Sequence, residues 1–284
     1  MSKGLLLLFF GVLGTGLLAQ SSIEALESDL AKQYEAIRNA TSDEDKMAAS
    51  DAFKSNLKST LFKAGAMSYP FEQLNLCKLV SPDGHFRLFN WNIPMADGTH
   101  RYEALVLIPK SIKDDSMVDV VELNAVLDEP DRLESRTFKN NEWMGFLVYD
   151  IIPNTSQGQY LLLAWDGHDR TRNRKIIDVM TLNGKNVRMG APVFKGNGNS
   201  RRIIFTYAED LTMSLIYDKK DRLIIFDHLA PSSPRLEGQY QFYGPDMSFD
   251  AYVFSKGNWT FESNVEFLRK RTDKDRNFND PRIK

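Results

Sequence analysis

The sequence predicts a mainly β protein, an antiparallel meander preceded by a short N-terminal helical hairpin. From Leu74 onward, short β-rich runs follow one another, separated by turn residues at spacings of about 8–12 residues. Helical periodicity is missing between these runs, which argues against a parallel α/β sheet. A propeller-like fold, a barrel and a sandwich all fit this pattern.

Residues 1–20 have the features of a secretory signal peptide. Lys3 supplies a positive charge, residues 5–18 are apolar or small, and Ala19 is a small residue at a suitable cleavage point. The apolar run is shorter than the roughly 20 residues that a membrane-spanning helix needs. We therefore expect an exported protein whose mature chain has no transmembrane segment. An uncleaved N-terminal anchor is the alternative.

Residues 21–73 are expected to form the helical segment. Apolar residues between Ile23 and Ile37 recur every three or four positions and therefore line one face of a helix. Thr41 and Glu44 have the spacing of a capping box, which predicts that a second helix begins here and ends near Gly65. The two helices would form a hairpin.

Residues 74–268 are expected to form one all-β domain, with hairpin turns at dipeptides such as Asp97-Gly98 and Asn183-Gly184. Within it, residues 110–141 are charged and weakly patterned, which predicts a long excursion from the meander. Residues 269–284 are charged and poor in apolar side chains, so we expect a disordered tail.

Charge, cysteine content and motifs restrict the function. The formal net charge is −2, so the chain has no overall electrostatic attraction to nucleic acid. Cys77 is the only cysteine, which excludes an internal disulfide and leaves no lipid-attachment cysteine after the apolar N-terminal run. The sequence contains no nucleophile elbow, His-Glu-x-x-His motif or phosphate-binding loop, so no cofactor and no enzyme class are predicted.

The densest polar constellation directly follows the apolar run 161–164. Trp165, Asp166 and His168 could present an acid–base pair or metal ligands, since a carboxylate and an imidazole suit either role. The alternative is a β-turn that Asp166 caps, with Gly167 at positive φ and Trp165 packed against the core.

A second acidic–histidine pair, Asp227 and His228, is predicted to end the strand that runs to Phe226. Loops at the ends of strands commonly carry functional side chains. If the two strand ends meet at one rim of the meander, they form a candidate hydrolase site, with or without a metal, from Asp166, His168, Asp227 and His228. The order of the strands decides whether they meet.

Two further stretches are candidate ligand surfaces. Tyr240, Phe242 and Tyr243 precede a Gly-Pro turn and could form an aromatic platform for a sugar or a peptide, or else pack in the core. A basic run could bind an anionic ligand or else protect a solvated strand edge. Its members are Arg170, Arg172, Arg174, Lys175, Arg201 and Arg202.

Six short segments occur in a specific order along the chain: Tyr149–Pro153, Ala164–His168, Gly190–Phe194, Met213–Leu215, Ile225–Leu229 and Gly238–Asp246. Read together, they resemble an uncharacterised family of exported proteins of Bacteroidota, over residues 74–267. The family has no activity to carry over, so no residue inherits a role. The resemblance implies a Gram-negative host, and therefore the periplasm, the outer-membrane surface or the medium.

The sequence therefore favours an exported protein of the cell envelope that binds or assembles with an envelope protein or a glycan, without catalysis. The periplasm is the expected location, and the extracellular medium or the outer membrane is the alternative. The alternative function is a metal-assisted or carboxylate-based hydrolase at the rim of Asp166, His168, Asp227 and His228.

Overall fold

The computed structural model describes residues 11–111, 114–154, 158–196, 198 and 200–266 of the chain. The predicted tail 269–284 and residues 1–10 of the predicted signal peptide lie outside the described residues. Four layers are stacked on one another: a helix pair, a first sheet, a middle sheet and an outer sheet. The prediction of a mainly β protein with an N-terminal helical hairpin is confirmed.

The helix pair consists of α1 (Gly11–Asn39) and α2 (Asp43–Leu61), so α1 includes part of the predicted signal peptide. The hydroxyl of Ser42 caps α2 by accepting a hydrogen bond from the backbone N–H of Asp45 at 3.0 Å. The predicted capping box is therefore wrong by one residue, because Ser42 has the extended backbone that a cap needs. None of the described helices combines the length and the apolar character needed to cross a membrane.

The first sheet is an antiparallel meander, and its two faces contribute to different cores. Phe89, Trp91 and Leu105 pack against the helices, whereas Leu88 and Val106 pack against the middle sheet. The predicted excursion at 110–141 is wrong in its first part, since the last strand lies there. The strands are, in order, β1 (Cys77–Val80), β2 (Arg87–Pro94), β3 (His100–Ser111) and β4 (Asp114–Asn124).

The middle sheet is covered on both faces, which explains its long apolar runs. In its strand β7 (Gln159–Asp166), Leu162 and Ala164 face the first sheet, and Leu161 and Leu163 face the outer sheet. Its other strands are β5 (Phe138–Lys139), β6 (Leu147–Pro153), β8 (Arg172–Asn183), β9 (Asn186–Met189) and β11 (Ile203–Ala208).

The outer sheet packs on the far face of the middle sheet. Phe226, Tyr252 and Trp259 supply much of its buried face. Face-to-face packing makes the protein an extended sandwich, and the described strands form no closed barrel. Apart from one short parallel pairing of β10 with β15, the strands pair antiparallel. They are β10 (Phe194–Lys195), β12 (Leu215–Asp218), β13 (Leu223–Pro231), β14 (Tyr243–Ser255) and β15 (Asn258–Glu262).

A buried ion pair anchors the segment that follows β4. Arg202 and Asp178 are both fully buried, and the Arg202 Nε lies 3.0 Å from the Asp178 Oδ2. The same guanidinium donates to the carbonyl oxygens of Leu133 and Arg136. This member of the predicted basic run is therefore structural, and it holds residues 133–136 against the middle sheet.

Candidate functional site

Asp166 is the last residue of β7, and its side chain points toward the first sheet. The Tyr102 hydroxyl donates a hydrogen bond to the Asp166 Oδ1 at 2.9 Å, and the Gly167 N–H donates to the same hydroxyl at 2.9 Å. Burial raises the pKa of Asp166 to about 6, although Tyr102 and Arg174 act in the opposite direction. A carboxyl group with this pKa can exchange a proton near neutral pH.

The turn after Asp166 requires glycine for reasons of space. A Cβ on Gly167 would lie 2.7 Å from the His100 Nε2 and 2.7 Å from the end of the Trp165 ring. Gly167 is not among the glycines with positive φ, so the predicted backbone conformation is wrong and close packing replaces it as the cause. His100 and Trp165 meet edge to face, with ring centroids 5.2 Å apart. The two rings therefore leave no room for a side chain at the residue that follows Asp166.

A cation links Asp166 to a second carboxylate. The Arg174 Nη1 lies 2.7 Å from the Glu129 Oε2 and 3.9 Å from the Asp166 Oδ2. The His168 Nδ1 lies 3.8 Å from the Asp166 Oδ2. Burial, together with the charges of Arg174 and Arg172, lowers the pKa of His168. The result is a mixed cluster of carboxylates, an imidazole and a guanidinium at one edge of the stack.

This cluster opens into a groove, which we call the edge groove, made of three adjoining sections. The Asp166 section, about 320 Å³, is lined by Asp166, His168, Arg174 and Glu129, among others. The Tyr240 section, about 470 Å³, also contains Arg174 and Glu129. It shares residues 132, 135 and 200 with the Arg201 section of about 630 Å³. The segment 125–136 contributes some of its residues to each of the three sections.

The three predicted aromatic residues have different positions. The Tyr240 ring is 47 % exposed and lines the edge groove, whereas Phe242 is 43 % exposed and lines none of its sections. The Tyr243 ring is half-buried, with its centroid 5.1 Å from that of Tyr240. The Gly238 N–H donates to the Tyr243 hydroxyl. Only Tyr240 therefore combines an exposed face with a place in the groove.

Asp227 and His228 lie elsewhere, in the outer sheet. They do not end a strand, because β13 continues to Pro231 and is irregular between 227 and 229. Asp227 accepts the Ser214 N–H at 2.6 Å, and the His228 Nδ1 lies 2.8 Å from the Asp250 Oδ2. Since Asp166 faces the first sheet, the middle sheet separates the two predicted pairs. The structure brings Asp166 and His168 together but not the four-residue rim.

Sequence reasoning missed two important groove residues. Tyr102 and Ala104 lie on the same buried face of a strand, and a buried hydroxyl needs a polar partner. A tyrosine on a predicted buried face was therefore the signal in the sequence that could have indicated Tyr102. Glu129 lies in the weakly patterned region and carried no such signal. Within the described ranges, no group of three or more His, Cys, Asp or Glu side chains is arranged to hold a metal ion.

No protein-family model matches this chain, and no curated protein sequence matches it. The geometry of the edge groove is therefore the basis for a functional proposal. Its residue types are aromatic, carboxylate and guanidinium groups, the set that suits a hydroxyl-rich ligand.

Proposed function

We propose that this protein is an exported, periplasmic binding protein of the cell envelope that holds a glycan in the edge groove. The observation that carries the proposal is the Tyr240 ring, which is exposed beside Arg174 and Glu129 in one section of the groove. A sugar ring has an apolar face that stacks on an aromatic side chain. Its hydroxyl groups pair with carboxylates and guanidinium groups.

The shape of the groove supports a chain-like ligand. Each section has a volume in the range of about 300–1,000 Å³ that small-molecule sites commonly show. Because neighbouring sections share lining residues, a ligand can continue from one section into the next. A polysaccharide segment can occupy several sections at once, whereas a single sugar occupies one.

The binding experiment compares two exposed aromatic residues. Mature protein is titrated calorimetrically with envelope and plant polysaccharides, and the best binder is then tested on Tyr240→Ala and Phe242→Ala. We expect Tyr240→Ala to weaken binding at least about tenfold, which corresponds to about 1.4 kcal/mol. Phe242→Ala, similar in exposure but outside the groove, should bind like the wild type. Equal losses in both variants, or no binding to any polysaccharide, would contradict the proposal.

Export is tested separately. Intact-mass analysis of the protein released by osmotic shock should give a chain that begins at Gln20 or Ser21. A full-length chain that starts at Met1 and stays with the membrane fraction would instead support the N-terminal anchor.

A second candidate function is a carboxylate-based hydrolase in the Asp166 section. The observation that favours it is the contact of Asp166 and Glu129 with the same Arg174 nitrogen. Asp166 and Glu129 line the same section of the groove, and the pKa of Asp166 is raised to about 6, so the section holds the two kinds of carboxyl group that cleavage of a glycosidic bond commonly uses. Asp166→Asn should then abolish the release of reducing ends while polysaccharide binding persists. Binding without any release by the wild-type protein would exclude this candidate.

A further inference from the structure

The Arg201 section concentrates positive charge. Four cationic side chains line it, and the carboxylates of the edge groove belong to the other sections. The cations come from two separate segments of the chain, so tertiary structure and not a local run of basic residues brings them together. They are Arg132, Arg136, Lys195 and Arg201.

One of these cations is fixed in position. The Arg201 Nε donates to the Ser135 carbonyl oxygen at 3.1 Å, and its Nη1 donates to the Thr137 Oγ1 at 3.1 Å. In the part of the chain that the structure describes, its Nη2 has no acceptor. A guanidinium that is already oriented loses little conformational freedom when it binds an oxyanion.

The remaining charges are only partly neutralised. Arg136 pairs with Glu142 at 2.8 Å. Arg132 and Lys195 are exposed, and neither forms an ion pair with a described residue. Like charges that share a concave surface without counter-charges attract anions to it. The chain as a whole has a net charge of −2, so this attraction is a property of the section and not of the protein.

We infer that the ligand of the edge groove is an acidic polysaccharide, whose carboxylate groups bind in the Arg201 section while a neighbouring sugar ring stacks on Tyr240. The inference rests on the proposed function and names its ligand class. It is supported by the shared border of the two sections at residues 132, 135 and 200. An acidic polysaccharide carries hydroxyl and anionic groups along one chain, so it can contact the Tyr240 section and the adjoining cationic Arg201 section at the same time.

The experiment compares one polysaccharide in a charged and an uncharged form. Polygalacturonate and its fully methyl-esterified form are titrated into the mature protein at low and high salt. We expect the acid form to bind at least about tenfold more tightly at low salt, with the difference shrinking as salt rises.

Arg132→Gln and Lys195→Gln should each weaken binding of the acid form only. Lys219→Gln, an exposed cation in the turn between β12 and β13, is the matched control and should have no effect.

The outcomes separate this inference from the proposed function. Equal binding of the acid and the ester would overturn the inference and leave glycan binding supported. Absence of binding to both would overturn the inference, and the panel of other polysaccharides would then decide the proposed function. The last measurement tests binding to vesicles that contain phosphatidylglycerol. Binding to them that is tighter than to polygalacturonate, and that Arg132→Gln weakens, would assign the section to anionic lipid and overturn the inference.

Discussion

Two parts of the molecule carry an aspartate followed closely by a histidine, and they differ in almost every physical respect. Asp166 and His168 lie between the first and the middle sheet, where burial changes the pKa of both groups. Asp227 and His228 lie in the outer sheet, where the His228 side chain is 46 % exposed. Similar residues therefore form a buried acid–base cluster in one place, whereas in the other the histidine is exposed and pairs with Asp250, and the aspartate accepts a backbone N–H.

The difference shows that layer position, more than residue type, decides the chemistry of these groups. A carboxyl that is covered by a second sheet loses hydration, so its charged form is disfavoured. The Tyr102 hydroxyl and the Arg174 guanidinium, 3.9 Å away, partly compensate Asp166 for this loss. His228, in contrast, has a close partner in Asp250, which raises its pKa despite partial burial. The comparison can be tested at three levels.

The largest expected effect is on the free energy of unfolding. It comes from removing the hydroxyl groups of two tyrosines, each of which accepts a hydrogen bond from a glycine N–H. Tyr102→Phe leaves the Gly167 N–H and an Asp166 oxygen unpaired inside the stack, which should cost about 1–3 kcal/mol of unfolding free energy. Tyr243→Phe removes the hydroxyl that Gly238 uses at an exposed position, and should cost less than about 0.5 kcal/mol. Urea denaturation measures both. Equal costs would mean that burial does not distinguish the two regions.

The next effect is a dependence of stability on pH. Burial raises the pKa of Asp166 to about 6, above the value of about 3.9 for a free aspartate. The folded state therefore keeps a proton that the unfolded state releases, and this stabilisation is present below about pH 4 and lost as the pH rises through about 6. Asp166→Asn should accordingly raise the free energy of unfolding at pH 8 by about 1–2 kcal/mol and change it little at pH 4.

Asp169 in the same turn is the control for that measurement. Burial alone would raise its pKa, but hydrogen bonds from Arg172 and Thr171 outweigh burial and hold the pKa well below its ordinary value. Asp169→Asn should therefore lower stability at pH 8, the opposite sign to Asp166→Asn. The same sign for both variants would refute the assignment of Asp166 as the destabilised carboxylate.

The smallest effect concerns the two histidines. Burial, with Arg174 and Arg172, lowers the pKa of His168, so its neutral form is favoured and stability rises as the pH approaches 6.5 from below. The Asp250 hydrogen bond raises the pKa of His228, so its stabilisation is present below 6.5 and lost at higher pH. His228→Gln should cost less than about 1 kcal/mol at pH 6. Histidine NMR titration should rank His228 above His168, and the reverse order would refute the comparison.

Some of the candidate site was accessible from sequence. The Asp166–Gly167–His168 turn stood out because a carboxylate, a glycine and an imidazole directly follow a buried strand. Tyr102 and Glu129 did not stand out, because each comes from a segment distant in sequence. Tyr102 contacts Asp166, and Glu129 contacts Arg174, only in the folded protein. The strand of His228 was predicted too short, since the irregular pairing after Asp227 interrupts the alternation that marks a strand.

The sequence by itself determined the secondary structure class and the burial pattern. Apolar periodicity is local, so the helix face between Ile23 and Ile37 and the apolar strand before Asp166 could be read directly from it. The order of the layers was decided only in three dimensions, because it depends on which buried faces pack against each other over long sequence separations. That order placed Asp166 between two sheets and His228 on an outer one, and it assembled the edge groove from strand ends, loops and the Tyr240 turn.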